Sequence, residues 1–326
     1  MLNSKFLFLA VCWVLFALYS LGIGQISANF GEILSAIFSQ SESTIKTAIF
    51  DIRLPRILIS SICGGILGLC GICLQGLFKN PLVDPKIIGV STAASFGGCL
   101  ALLFGLGAFW LIIFAFGFGI LGLAILFFIA HFVRNSSIYT LILAGIIING
   151  FFGALISLTQ FLADNEDVLP NIVFWLMGSF VTSSYDKLQI LLIVSLPCMV
   201  MLILMRWRFN LLSLDEKDLK ALKININFLR TFILILATLL IATQVSISGN
   251  IGWVGLIVPH IARLLCGANH IKSIPTAFII GMIFMLLVDN LARTLSQSEI
   301  PIGIISALVG APVFAYLLKR NHKYAN

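Results

Sequence analysis

Ten apolar runs, each roughly long enough to cross a bilayer, constrain this chain more than any other feature. They fall near residues 6–24, 57–78, 88–106, 108–132, 138–162, 188–206, 229–247, 252–267, 274–291 and 303–319. A spanning helix needs about 20 apolar residues, with a range of about 17–25. In hydrocarbon every backbone N–H and C=O must be paired within the segment, so runs of this kind form helices. Composition agrees: charged residues make up only 10% of the 326 residues, against about 25% in soluble domains. The expected fold is therefore all-α and membrane-integral, with about ten helices in a single domain, 1–326. The first run is expected to be a retained helix rather than a cleaved signal.

Ten spans place both termini on one side. Lysine and arginine concentrate in cytoplasmic loops, and putting the termini there divides these residues fifteen inside to five outside. Lys79 and Lys86 count among the fifteen; Lys46, Arg53, Arg56, Lys187 and Arg293 are the five. The net charge of +7 is thus a topology signal. Nucleic-acid binding would need a basic face interleaved with aromatics, and the sequence has none. Asn80–Pro85, with two prolines, is expected to be a helix-breaking cytoplasmic turn. Residues 30–38 are expected to form a short interfacial helix, and Leu54-Pro55 to fix a turn before the second span.

Several chemistries lack their residues. Cys70 and Cys73 have C-x-x-C spacing, but in a glycine-rich apolar helix they are expected to act as small hydrophobes. The polar residues inside the spans are Gln75, Asn149, Gln160, Gln244, Asp289 and Asn290. They include no carboxylate pair or histidine chain, and no lysine is expected at mid-depth. That argues against a proton-coupled carrier and against an intramembrane enzyme. Without a G-x-x-x-x-G-K-[ST] loop, any ATP hydrolysis belongs to another subunit. The Gly64-x-x-x-Gly68 spacing is a helix-packing signal.

The largest cytoplasmic loop, 209–230, contains a short candidate helix, 214–223. Acids fill its first turn and lysines its last, matching the helix dipole. Both a solvated connector and a docking helix fit this pattern. Arg53, Arg56 and Arg293 lie on the outer side against the charge rule, and could bind lipid phosphate or a partner's carboxylates, which arginine grips bidentately.

A series of blocks then resembles the FecCD family of permeases. These are Arg53-Leu-Pro-Arg56, residues 75–85 (QGLFKNPLVDP) followed by Gly89-Val-Ser91, Leu143-Ala-Gly145, and Trp175-Leu-Met-Gly-Ser179. Residues 252–263 (GWVGLIVPHIAR), Glu299-Ile-Pro-Ile-Gly303 and Gly310-Ala-Pro-Val-Phe314 continue it. The resemblance implies a type II ABC importer permease with ten helices, working as a homodimer in the bacterial inner membrane. It implies two ATP-binding subunits below, which use ATP and Mg, and a periplasmic or lipid-anchored binding protein above. No cofactor is implied for this chain itself.

Carried over residue by residue, the resemblance implies that Arg53, Arg56 and Arg293 receive glutamates of the binding protein. It implies that Leu214, Asp215, Glu216, Asp218, Leu219, Ala221 and Leu222 couple to the ATPase, although Asp215, Leu219 and Lys223 depart from the family's small residues. The fifth and tenth spans line the pathway, with Ser137, Thr140, Asn149 and Gln160 as candidate lining residues. The 75–85 block looks closer to members that move iron chelates, siderophore or haem. Vitamin B12 and molybdate-type oxyanions are the alternatives, and a secondary transporter is the alternative class.

Overall fold

A computed structural model describes residues 4–24, 31, 44–133, 138–214 and 225–322. Twelve α-helices are found among them. They are α1 (Ser4–Gly22), α2 (Thr44–Leu77), α3 (Val90–Leu103), α4 (Ala108–Phe132), α5 (Ile138–Leu162) and α6 (Val168–Leu176). The rest are α7 (Tyr185–Leu204), α8 (Arg206–Leu212), α9 (Ile226–Ser248), α10 (Val254–Cys266), α11 (His270–Thr294) and α12 (Ile302–His322). Each of the ten apolar runs coincides with one helix; α6 and α8 are short additions. Seven helices are long and apolar enough to cross a membrane, while α3, α10 and α12 offer shorter apolar stretches.

The bundle is built around α2. Its glycines let neighbouring backbones touch it directly. A Cβ on Gly64 would collide with the carbonyl of Gly281 in α11, and one on Gly71 with that of Gly255 in α10. A Cβ on Gly68 would lie 2.6 Å from the Ala277 carbonyl oxygen. Close backbone approach of this kind replaces the hydrophobic drive that lipid cannot supply. Cys70 and Cys73 are fully buried on the same helix, filling space as small apolar groups. α9 encloses another side of α2.

By contrast, α1, α4, α5 and α7 leave large apolar side chains open: Phe8, Phe128, Phe161 and Ile193 are each more than 60% exposed. A face of that character suits lipid or another apolar chain. Within the bundle α5 packs on α3, α4 and the 3-10 turn Pro85–Ile88, while its opposite side, with Tyr139, Leu143, Ile147 and Phe151, is uncovered.

One local expectation needs correction. Leu54-Pro55 does not form a turn before the second span. The helix runs through it, because a π-helical segment, Ala48–Arg53, precedes it and places Pro55 in the first turn of the α-helical part. The proline's missing N–H costs little there. The expected interfacial helix at 30–38 lies outside the described residues, Gly31 apart.

Close packing at Gly64 predicts that Gly64→Ala overpacks the α2–α11 seam, at a cost of about 1–3 kcal/mol. Gly150→Ala on the open side of α5, where a Cβ meets nothing within 4 Å, should leave stability intact or raise it slightly. Thermal midpoints of the two detergent-purified variants compare them directly; equal midpoints would contradict the seam.

Candidate functional site

At one end of the bundle the three outer arginines converge, but they arrive already engaged. Arg56 donates from Nε and Nη2 to Asp289 Oδ1 at 3.0 and 2.8 Å, and from Nη1 to Glu299 Oε1 at 2.8 Å. Asp289 is completely buried on α11. Its other oxygen lies 3.3 Å from Arg293 Nε, one helical turn away. Arg293 also donates to the Ile23 carbonyl at 3.1 Å and to Asn290 Oδ1. Asn290 in turn donates to Ser20 Oγ at 2.7 Å. Arg53 donates to the Leu21 carbonyl at 2.7 Å.

The network therefore ties the ends of α1, α2 and α11 to the α11–α12 linker. Each arginine is 5–6% exposed, so they are buried, internally bonded groups and not free surface cations. Among the described residues the cluster holds three guanidiniums and two carboxylates. Arg53, Arg56, Arg293 and Glu299 line a cavity of about 190 Å³ through which an outside carboxylate could reach them.

Beside this cluster two of the sequence blocks, 175–179 and 299–303, meet the end of α9 at Ser248 and Gly249 through their backbones. Gly178 and Gly249 adopt left-handed φ of +77° and +70°, which glycine reaches without steric cost. Ser179 N–H donates to the Ser248 carbonyl at 2.9 Å, while Ile302 and Gly303 N–H donate to Gly178 and Met177 at 2.9 and 2.8 Å. The start of α12 is thereby pinned to the α6–α7 turn.

The opposite end carries basic groups. Lys5 Nζ donates to the Leu265 carbonyl, and Lys79 Nζ to that of Leu214. A cleft of about 290 Å³ is lined by Lys79, Phe209, Arg263 and His270, among others. Leu214, the first residue of the candidate coupling helix, is exposed at this end. Asp215, Glu216, Asp218, Leu219, Ala221 and Leu222 lie outside the described residues.

The segment after α2 departs from expectation. Residues 80–89 are not a loop held beyond the helix ends; they fold back along α2 into the bundle. Gln75 Nε2 donates to the Val83 carbonyl at 3.1 Å, and Arg263 donates to Gln75 Oε1 at 2.5 Å. Pro85 packs on Gly255, and Gly145 of α5 sits against the Ile87 carbonyl. The 3-10 turn Pro85–Ile88 is capped by Asp84, whose carboxylate accepts from the Lys86 N–H at 2.8 Å. Gly89, at φ +79°, then starts α3.

Asn149 closes this arrangement, donating to the Lys86 carbonyl at 3.0 Å and accepting from Thr92. Asn149 is at the middle of α5, about 16 Å from one end and about 20 Å from the other at ~1.5 Å per residue. Lys86 is thus at mid-depth, against the expectation that it counts among cytoplasmic lysines and that no lysine lies there. A lysine at the centre of a bilayer costs roughly 2.5–3.5 kcal/mol on insertion scales. A re-entrant backbone at that depth is tolerated where protein or a water-filled cavity surrounds it. Run length did not signal it, because the apolar run 88–106 reads as a full span although the helix itself covers only Val90–Leu103.

Of the other pathway candidates, Thr140 is buried, Gln160 is partly exposed, and Ser137 lies outside the described residues. Asp289, Glu299 and Lys86 were not singled out as site residues by the sequence.

A helical bundle with a re-entrant turn, an engaged arginine cluster at one end and a basic cleft at the other defines a class, the membrane permease subunit of an ABC importer. The FecCD transport family model matches residues 11–320, and the chain belongs to that family. It is 46% identical to the molybdate import system permease protein MolB of Haemophilus influenzae, over 97% of this chain and 96% of that one. A probable iron chelatin transport system permease protein of Helicobacter pylori is 36% identical, covering 87% and 86% of the two chains. A solved structure, described as an inward-facing conformation of an ABC transporter of presumed metal-chelate type, superposes with a TM-score of 0.91. It shares 45% identity, over 97% of this chain and 99% of that one. The chain is accordingly a transport component and not an enzyme.

Removing one partner from a buried ion pair costs about 3–5 kcal/mol, because it strands the other charge. Asp289→Asn should therefore lower the thermal midpoint of the purified protein markedly, and Arg56→Glu should do at least as much by crowding three carboxylates together. A native-like midpoint for Asp289→Asn would show that the network contributes nothing to the fold.

Proposed function

We propose that this chain, as a homodimer, forms the inner-membrane pathway of an importer for a molybdate-type oxyanion. Both termini would be cytoplasmic. The cargo arrives on an outer binding protein, and two ATP-binding subunits drive the cycle from below; the chain itself binds no cofactor. The observation that carries the cargo assignment is identity spread over nearly the whole chain. It is 46% with the molybdate permease but 36% with the iron chelatin permease, the latter over a shorter match.

The iron-chelate expectation rested on residues 75–85. Those side chains are spent inside the protein: Gln75 bonds Val83 and Arg263, and Pro85 packs on Gly255. They support the fold and are silent about cargo, which removes the reason for preferring siderophore or haem.

The roles of the two ends follow from the same reading. The outer partner's carboxylates would compete with Glu299 for Arg56. Because the arginines are already bonded, docking would act mainly through association rate and salt dependence. The ATPase would take residues 214–223 and the neighbouring basic cleft. The uncovered side of α5, together with α12, would face the second copy and line the pathway; of the α5 candidates Gln160 is partly exposed, while Thr140 is buried and Asn149 is bonded to the re-entrant turn at the pathway's inner wall. The positive-inside division, even with Lys86 removed from it, supports the orientation.

The test is uptake by proteoliposomes holding this chain with its ATPase and binding protein. ATP-dependent accumulation of molybdate, with none of haem or a ferric siderophore, is expected. Uptake of a ferric siderophore or haem without molybdate would overturn the cargo assignment, and uptake with no ATPase present would overturn the permease reading.

A further inference from the structure

The backbone and the ammonium of Lys86 are used differently. Its backbone is fully committed: the N–H to Asp84, the carbonyl to Asn149 and Gly89. Its side chain, in contrast, makes no hydrogen bond or ion pair within the described residues and stays partly exposed. Nζ points at Gly252, where an added Cβ would sit 2.9 Å from it. Gly252 belongs to the extended stretch that leads into α10, and the next residue, Trp253, is held at a left-handed φ of +72°. The Trp253 side chain lies against Gly310 of α12. Lys86 thus lies between α5, through Asn149, and the segment that carries α12, through Gly252.

Few charges compete for it. Among the described residues the only acid on the re-entrant segment is Asp84, whose carboxylate is bonded to the Lys86 N–H and also attracts the Lys86 ammonium through space, without an ion-pair contact. The others are on the α5–α6 linker, at the start of α7, or in and near the arginine cluster. Escape to an interface is too far. A lysine stem can snorkel by roughly 6 Å, whereas the nearer end of α5 is about 16 Å away. A cation whose one carboxylate neighbour, Asp84, is already bonded to backbone, and which lies far from either helix end, is stabilised by an aqueous cavity or a further anion beside it.

We propose that Lys86 is the mid-membrane anion contact of the transport pathway and a determinant of its selectivity for anionic cargo. This deepens the oxyanion reading and rests on it for the identity of the cargo. In a homodimer two ammoniums would face the pathway, matching a doubly charged oxyanion. Asp84 and Asn149 are positioning residues that hold the Lys86 backbone at this depth. The contact must be weak enough to release its anion, which suits one long flexible ammonium better than a bidentate arginine fork.

The experiment uses the assembled complex with its ATPase and binding protein in proteoliposomes, and two independent readouts. First, Lys86→Met and Lys86→Arg are compared in ATP-dependent molybdate uptake, with co-purification of the ATPase as the check on assembly. Loss of a charge-assisted contact predicts about a ten-fold or greater fall for Lys86→Met, and a far smaller one for Lys86→Arg, which keeps the charge. Second, Lys86→Cys in a background without other cysteines is treated with a charged, membrane-impermeant thiol reagent. Labelling is expected, and added molybdate should slow it.

Wild-type uptake by Lys86→Met, or no labelling of Lys86→Cys in an assembled complex, overturns the proposal. If the wild type moves no molybdate, the oxyanion reading alone fails. The Lys86 contact is then decided by thiol labelling of Lys86→Cys and by the Met and Arg variants assayed with an anionic ferric citrate complex.

Discussion

Contact between backbones along α2 fixes what happens at both ends of the molecule. Gly64 and Gly68 bring α11 against it, and Gly71 brings α10. Since lipid offers no hydrophobic drive for helix association, this steric fit sets the relative height of the three helices. At one end that height brings Arg56 of α2 level with Asp289 of α11. At the other it brings Gln75 of α2 level with Arg263 of α10 and allows the returning segment 80–89 to pair its backbone inside the bundle. Shifting α2 by one turn would strand a buried carboxylate and open the re-entrant turn together.

The two ends therefore use charge differently. The arginine cluster is closed on itself, so on the proposed reading an outer partner would meet a prepared site whose attractions are mostly spent. Such a site favours recognition that is specific and reversible, because a new carboxylate exchanges for an existing one and gains little net energy. Its neighbour, the Gly178–Gly249–Gly303 backbone junction, ties the start of α12 to the α6–α7 turn. Any rearrangement of Glu299 is one short linker away from α12. At mid-depth, by contrast, a lysine is left without a carboxylate in contact with its ammonium. Asp84 offsets that charge through space, and on the proposed reading an anion in transit completes the compensation.

Much of this was legible in the sequence. Ten apolar runs are readable because lipid demands continuous stretches, and all ten became helices at nearly the expected bounds. The ordered blocks from Arg53 to Phe314 identified the family. What was not legible depends on distance along the chain: Arg56 meets Asp289 and Glu299 more than 230 residues away, so the arginines read as free outer cations. Lys86 was misplaced for a different reason. A segment with two prolines and two charges reads as a water-exposed turn, and only Gln75, Asn149 and the small Gly145 and Gly255 contacts make its burial possible. The candidate coupling residues beyond Leu214 fall outside the described part, so the reading of that loop still stands on sequence alone.

The central claim is that this chain is one half of a membrane pathway whose open α5 side is completed by an identical copy. Native mass spectrometry of the complex, released intact from membranes with its co-expressed ATPase, measures this directly. The account predicts a single species holding two copies of the chain and two ATPase subunits. A species with one copy of the chain, purified from preparations active in transport, would contradict it.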